Sequence, residues 1–156
     1  MFVGSGPLES DLRAWAGRHG DRVAIETTVA HEDVPRWLNA MDVLCAPSLT
    51  TPRWREQFGR MLIEAFACGV PVIASDSGEI PYVVGDAGLI VAERDAAAWT
   101  RAIQRLVADP SQRDDLSTRG RRRAVSIYDW SVVARQHSTF FRQLIEGAIP
   151  DASSVA

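Results

Sequence analysis

Short apolar runs rich in β-branched residues alternate along most of this chain with longer segments of helical period, and that alternation narrows the choice of folds more than any other feature. A β-branched run packs well on a pleated surface, and a helix-length crossover brings the next run alongside it in the same direction. The pattern therefore predicts a doubly wound α/β architecture with a parallel sheet. The strand candidates are Phe2-Val3, Val23 to Glu26, Val43 to Pro47, Val70 to Ser75 and Leu89 to Val91. Helices are expected near Leu8 to Arg18, Glu32 to Ala40 and Gly59 to Cys68, with a turn-rich, partly helical stretch from Gly78 to Gly88. From Asp95 the pattern changes to consecutive helices without a strand between them: Asp95 to Ala108, Pro110 to about Ile127, and Trp130 to Gly147, with breaks and caps at Asp109-Pro110 and Asp129. Residues 1–149 read as one domain, and 150–156 as a frayed, flexible tail.

With 156 residues, 46% of them hydrophobic, the chain can bury one continuous core. A formal charge of -3 gives no electrostatic ground for a nucleic-acid partner, which turns attention to a pocket. Cys45 and Cys68 lie in apolar surroundings without the spacing of a metal knuckle or redox pair and read as reduced, buried thiols. The opening Phe-Val-Gly-Ser-Gly-Pro has no basic leader, and no apolar stretch is long enough to cross a bilayer, so a cytoplasmic protein is expected. His19, His31 and His137 are scattered and read as surface or capping residues, so no metal site is expected.

The stretch from Ala46 to Asp76, APSLTTPRWREQFGRMLIEAFACGVPVIASD, carries the chemistry. A strand ends at Pro47-Ser48, a polar loop follows, and Gly59 opens an amphipathic helix expected to turn Met61, Leu62, Ala65, Phe66 and Cys68 to the sheet. In an open α/β sheet, ligands bind beyond the carboxyl ends of the strands, which is where this loop and helix start would lie. The amides of Gly59, Arg60, Met61 and Leu62 would point along the positive end of the helix dipole, a site for a diphosphate. Glu56 in the loop and Glu64 in the helix would sit at different depths of the same crevice, where a carboxylate can accept hydrogen bonds from the hydroxyls of a ribose or hexose. Taken alone, two glutamates at this spacing are weak evidence and read as a solvated helix face.

Four further segments stand in order around that pair: Val3-Gly4-Ser5-Gly6-Pro7, Asp42 to Ser48, Ala67-Cys68-Gly69-Val70-Pro71-Val72, and Ser77-Gly78-Glu79-Ile80-Pro81 with Gly85-Asp86-Ala87-Gly88. Together with the E-x7-E signature Glu56-Gln-Phe-Gly-Arg-Met-Leu-Ile-Glu64, they resemble glycosyltransferase family 4, group 1, over almost the whole chain. The resemblance implies the Rossmann-like C-terminal half of a GT-B fold. It also implies a retaining, metal-independent transfer of a hexose-type sugar from a nucleotide diphosphate sugar of UDP or GDP type to a glycan or lipid-linked acceptor, in bacterial polysaccharide biosynthesis. No cofactor other than the donor substrate is implied. Glu56 is the implied catalytic residue, holding sugar hydroxyls near the reacting carbon, and Glu64 would bond the donor ribose. Phe58, Gly59, Arg60, Met61 and Leu62 would take the diphosphate through their amides, Gly4 and Gly6 would let the chain pass close to donor or acceptor, and the nucleobase would lie near Thr28 to Ala30.

The family's C-terminal half begins with a strand and helix ahead of the glycine loop that carry an arginine and a lysine, whereas this chain starts almost on the glycine loop. An N-terminal truncation is therefore expected, with the first strand and helix missing, and with it the absence of an N-terminal acceptor-binding partner domain, leaving a chain that binds donor and transfers nothing alone. Arg55 and Arg60 could stand in for the lost basic pair. Tyr82 departs from the Glu or Asn that relatives carry after Ile-Pro. Arg119 to Arg123, RGRRR, reads either as a solvated helix face or as a peripheral contact to anionic lipid headgroups. Trp15, Trp37, Trp99 and Trp130 are expected as packing anchors and Trp54 as a residue bordering the donor sugar. A non-catalytic nucleotide-binding or regulatory module, or half of a split enzyme, remains an alternative. A nucleotide-sugar epimerase fits the glutamate signature less well, and a dinucleotide-dependent dehydrogenase lacks its third glycine.

Overall fold

A computed structural model describes residues 1–146. The chain divides into one compact unit of Met1–Ala40 and a second that begins at Met41. The tail expected at 150–156 and the end of the last helix at Gly147 lie outside the described residues.

In the first unit, β1 (Phe2–Val3) is followed by α1 (Glu9–Ala16), β2 (Ile25–Glu26) and α2 (Val34–Asn39). β1 and β2 pair in parallel, Phe2 opposite Ile25 and Val3 opposite Glu26. Phe2 N donates to Ala24 O and Gly4 N to Glu26 O, both at 2.8 Å. The expectation of an N-terminally truncated half lacking its first strand and helix is overturned here, because residues 2–16 supply both. Two residues are too few to show the alternation that marks a strand in sequence, yet their backbone groups are satisfied by β2. Phe2 meets Trp15 of α1 edge to face, with ring centroids 6.1 Å apart. Acidic Glu9 and Asp11 occupy the first turn of α1, and Glu9 pairs with Arg13 at 2.8 Å.

The second unit runs β3 (Leu44–Ala46), α3 (Arg60–Ala67), β4 (Val72–Ser75), α4 (Ile80–Val84), β5 (Gly88–Val91), α5 (Ala96–Ala108), α6 (Pro110–Arg123), a π-helical turn (Ala124–Tyr128) and α7 (Trp130–Ile145). The sheet is parallel in the order β3-β4-β5, with Ala46 opposite Ala74 and Ser75 opposite Val91. Central β4 is buried along its whole length, which is why it reads as a continuous apolar run rather than an alternation. Ile73, Val91, Leu106 and Leu116 form one cluster of the core, joined by half-buried Leu89 and Trp99. Asp95, Asp109 and Asp129 cap α5, α6 and α7, accepting from the amides of Ala98, Gln112 and Ser131 at 2.8, 3.0 and 2.8 Å.

Several side chains lie elsewhere than expected. Trp37 and Trp99 are half-buried, but Trp15 and Trp130 are exposed, Trp130 to 85%. Cys45 is exposed and Cys68 half-buried, so neither is the buried thiol expected; desolvation nevertheless pushes both thiols above their ordinary pKa. On α3, Leu62, Ala65 and Phe66 are buried while Met61 is exposed and Cys68 only half-covered. No helix among the described residues is long and apolar enough to cross a membrane.

Candidate functional site

The loop of residues 47–59 leaves the carboxyl end of β3 and is fastened to the ends of its neighbours. Ser75 Oγ at the end of β4 donates to Ser48 O at 2.6 Å. Thr50 donates its amide to one oxygen of Glu93 at 2.8 Å and its hydroxyl to the other at 2.5 Å, and that hydroxyl also lies 3.0 Å from Ser77 Oγ. Glu93, just past β5, is held in turn by its amide, which donates to Asp76 Oδ1 at 2.8 Å. The hydroxyl hydrogen bond from Thr50, with that of its amide, keeps the Glu93 carboxyl below its ordinary pKa. Thr51 and Trp54 then close a tight turn with reciprocal amide-to-carbonyl bonds of 2.7 and 3.3 Å.

Glu56 is fixed through its backbone first. Its carbonyl accepts from Glu79 N at 3.1 Å, and Gly78 packs so closely that a Cβ there would lie 1.9 Å from that same oxygen. Gly78 also has φ +55, so the approach of the β4–α4 loop to Glu56 requires glycine on two counts. The side chain then turns to the start of α3: Glu56 Oε1 accepts from Gly59 N at 3.0 Å and, at longer range, from Phe58 N at 3.4 Å. A carboxylate at the positive end of a helix is favoured by the dipole and by the amides it bonds. Gly59 enters the helix at φ +75, where a Cβ would stand 2.8 Å from Leu62 Cδ1.

The amides expected to receive a diphosphate are therefore not equivalent. Those of Phe58 and Gly59 are taken by Glu56, and Leu62 N donates to Gly59 O at 2.9 Å with its side chain fully buried. Arg60 and Met61, the first residues of α3, are exposed, and among the described residues their amides make no hydrogen bond. Glu64 is half-buried one turn further on, and its Oε1 lies 3.6 Å from Arg60 NH2 in a loose ion pair whose arginine is 74% exposed. Phe58 is 43% exposed and its ring meets Tyr128 edge to face at 5.8 Å. Arg53, Arg55 and Trp54 are exposed on the preceding turn and line a shallow cavity of about 310 Å³ with Thr51, Pro52 and Gln57. The structure thus gathers Glu56, Phe58, Gly59, Arg60, Met61, Leu62 and Glu64 at one helix start. Gly4 and Gly6 lie in the first unit, exposed, Gly4 at φ +135, with no atom within 4 Å of a Cβ built on either.

Glu93 and Thr50 went unnoticed in the sequence. The available signal was the polar run Glu93-Arg94-Asp95 directly after a strand, at the end of the sheet where ligands bind. The RGRRR run is divided by the structure. Arg123 donates to Val83 O and Tyr82 O at 2.7 and 2.6 Å, capping the carboxyl end of α4, and Arg119 pairs with Asp115, leaving Arg121 and Arg122 exposed. Tyr82 is 71% exposed. Among the described residues, no three His, Cys, Asp or Glu side chains gather into a metal site.

The family model described as glycosyl transferases group 1 matches residues 1–109. The chain belongs to the group 1 glycosyl transferases. Among its relatives, the MMP alpha-(1->4)-mannosyltransferase of Mycolicibacterium hassiacum is 33% identical over 128 residues, 80% of this chain and 30% of that protein. The phosphatidyl-myo-inositol mannosyltransferase of Mycobacterium leprae is 35% identical over 138 residues, 87% of this chain and 35% of that one. Among solved structures, this glycosyl transferase superposes on sucrose-phosphate synthase from Thermosynechococcus elongatus with a TM-score of 0.74 and 35% identity, over 93% of this chain and 38% of that one. Anabaena HepE in complex with UDP-glucose shares the fold, with a TM-score of 0.71 at 20% identity over 90% of this chain and 40% of that one. The group 1 chain spans about a third of the length of the curated relatives it matches, 30%, 36% and 27% in three of them.

Proposed function

We propose that this chain supplies the donor site of a retaining, metal-independent hexosyltransferase of the GT-B kind, binding a nucleotide diphosphate sugar at the start of α3. The observation that carries the reading is the Glu56 carboxylate, one oxygen of which is anchored on the amides of Phe58 and Gly59. Its other oxygen makes no hydrogen bond among the described residues and can accept from hydroxyls of a bound sugar. Beside it, the amides of Arg60 and Met61 offer two donors at the positive end of the helix to the diphosphate. Glu64, four residues and about 6 Å along the axis from Arg60, is placed to accept from the ribose hydroxyls. Arg60 can exchange its loose pairing with Glu64 for a phosphate oxygen, since an exposed ion pair of this kind contributes little stability.

During transfer the bond from the anomeric carbon to the diphosphate breaks and negative charge collects on the departing phosphate. The Arg60 and Met61 amides, the dipole of α3 and the Arg60 guanidinium stabilise that charge without a metal. Glu56 fixes the sugar so that the anomeric carbon faces its acceptor, which earns it the catalytic assignment. Leu62 contributes by closing the first turn of the helix. Gly4 and Gly6 have a separate role, admitting a ligand close to the backbone of the first unit. One relative is a GDP-mannose-dependent mannosyltransferase and one fold neighbour holds UDP-glucose, so UDP and GDP donors are both to be tried. Residues 1–149 are proposed as the donor-binding domain and the cytoplasm as its location; the acceptor is a glycan or lipid-linked sugar.

Amide NMR during titration with UDP, UDP-glucose, GDP and GDP-mannose tests the reading. The amides of Arg60 and Met61 should shift most, and Glu64→Ala should weaken nucleotide binding about tenfold, the equivalent of ~1.4 kcal/mol. Shifts confined to other elements would refute it.

A further inference from the structure

Beyond Ser48, which Ser75 holds where the loop leaves β3, the segment that leads to Glu56 is pinned at two points, of which only one belongs to the family signature. At Glu56 the loop is held by Gly78 and Glu79. At Thr50 it is held by Glu93, which reaches back from beyond β5, with one carboxylate oxygen on the Thr50 amide and the other on its hydroxyl. This second hold joins the ends of all three strands of the sheet, since Ser77 after β4 shares the Thr50 hydroxyl and Asp76 takes the Glu93 amide. Between the two pins stand the exposed residues Thr51 to Arg55 with their turn. Such a segment is held only as firmly as its ends. An ionised carboxylate accepting hydrogen bonds is the stronger kind of restraint, and the charge of Glu93 is favoured first by the Thr50 hydroxyl and amide, then by the Ser77 hydroxyl and the charge of Arg94.

We propose that Glu93 is a positioning residue for the donor site, a latch that holds the 47–59 loop against the strand ends and so sets the place of Glu56. The inference rests on the donor reading given above. The latch acts through Thr50 and touches no substrate, so its loss should open the loop and weaken donor binding while leaving the rest of the domain folded.

The test uses the full chain and two measurements. Amide hydrogen exchange at Thr50 and, as a core reference, at Ile73 reports local opening without any ligand. Calorimetry with UDP-glucose and GDP-mannose reports donor affinity. For Glu93→Ala, exchange at Thr50 should rise about tenfold or more with Ile73 unchanged, and donor affinity should fall about tenfold, equal increments of ~1.4 kcal/mol. Glu93→Gln keeps one acceptor oxygen in place and should recover much of both. Thr50→Val, which removes the hydroxyl and keeps the amide, should give an intermediate effect. If Thr50 exchange is unchanged in Glu93→Ala, or if it rises but donor affinity does not move, the latch is refuted while the donor site stands. A rise at Ile73 in step with Thr50, or failure of Glu93→Gln to recover either readout, would assign Glu93 to general stability and equally refute it. If the parent protein binds neither nucleotide sugar while Arg60 and Met61 stay unperturbed, the donor reading itself falls and the positioning role with it.

Discussion

Gly78→Ala asks whether the site depends on the backbone approach seen between two loops. The added Cβ would lie 1.9 Å from Glu56 O and 2.9 Å from Glu56 C, both backbone atoms with no rotamer to change. Ordinary contact would require the loops to separate by more than about 1 Å, since a carbon and an oxygen rest no closer than roughly 3 Å. Two costs add. Holding alanine at φ +55 costs about 1–2 kcal/mol, and losing the hydrogen bond from Glu79 N to Glu56 O costs about 1 kcal/mol more. Gly20→Ala separates them, because Gly20 has φ +57 but no atom within 4 Å of a Cβ, and so carries the conformational cost alone. Thermal unfolding should place Gly78→Ala below Gly20→Ala by the equivalent of about 1 kcal/mol or more. Calorimetry with UDP-glucose or GDP-mannose should show a donor affinity at least about tenfold weaker for Gly78→Ala, because Glu56 moves with its carbonyl. Equal stabilities for the two variants, with donor binding intact in both, would show that the approach of Gly78 to Glu56 is not what places the carboxylate.

Two other predictions concern the scaffold. Leu106→Ala empties a fully buried position in the cluster with Ile73, Val91 and Leu116 and should cost about 2–5 kcal/mol in urea denaturation. Asp109 is held below its ordinary pKa of 3.8, first by the hydrogen bond from the Ser111 hydroxyl and then by that from the Gln112 amide. Its contribution is thus present above pH 3.8 and lost as pH falls through the lower folded value. The stability difference between the parent and Asp109→Asn should accordingly be level near neutrality and close in acid, which denaturation curves at several pH values will show.

Much of the architecture was legible because its signals are local. Asp95, Asp109 and Asp129 announce helix starts through side-chain chemistry, and Val72 to Ala74 announce a buried strand by being apolar on both faces. The E-x7-E spacing marked the loop and helix for the same reason, being a contiguous stretch. What stayed hidden depends on partners distant in sequence. Phe2-Val3 is legible as a strand candidate, but that β2 completes it as a first strand depends on Ala24 and Glu26, which its two residues do not show. Arg123 looks like one more charge in a basic run until the carbonyls of Tyr82 and Val83 are placed against it. Thr50 and Glu93 are 43 residues apart and meet only because β3, β4 and β5 end side by side. Which helix-start amides are spoken for also depended on a rotamer, that of Glu56, which no spacing rule supplies.

The central claim is that Glu56 recognises the sugar of a nucleotide sugar held at the start of α3. Calorimetric titration with UDP-glucose against UDP, and with GDP-mannose against GDP, in the parent and in Glu56→Gln, tests it most directly. One intact sugar donor should bind the parent more tightly than its bare diphosphate, and Glu56→Gln should remove that preference while leaving the affinity for the diphosphate within about twofold, a difference of under ~0.5 kcal/mol. A preference for the sugar that persists in Glu56→Gln, or no preference in the parent for either donor, would contradict it.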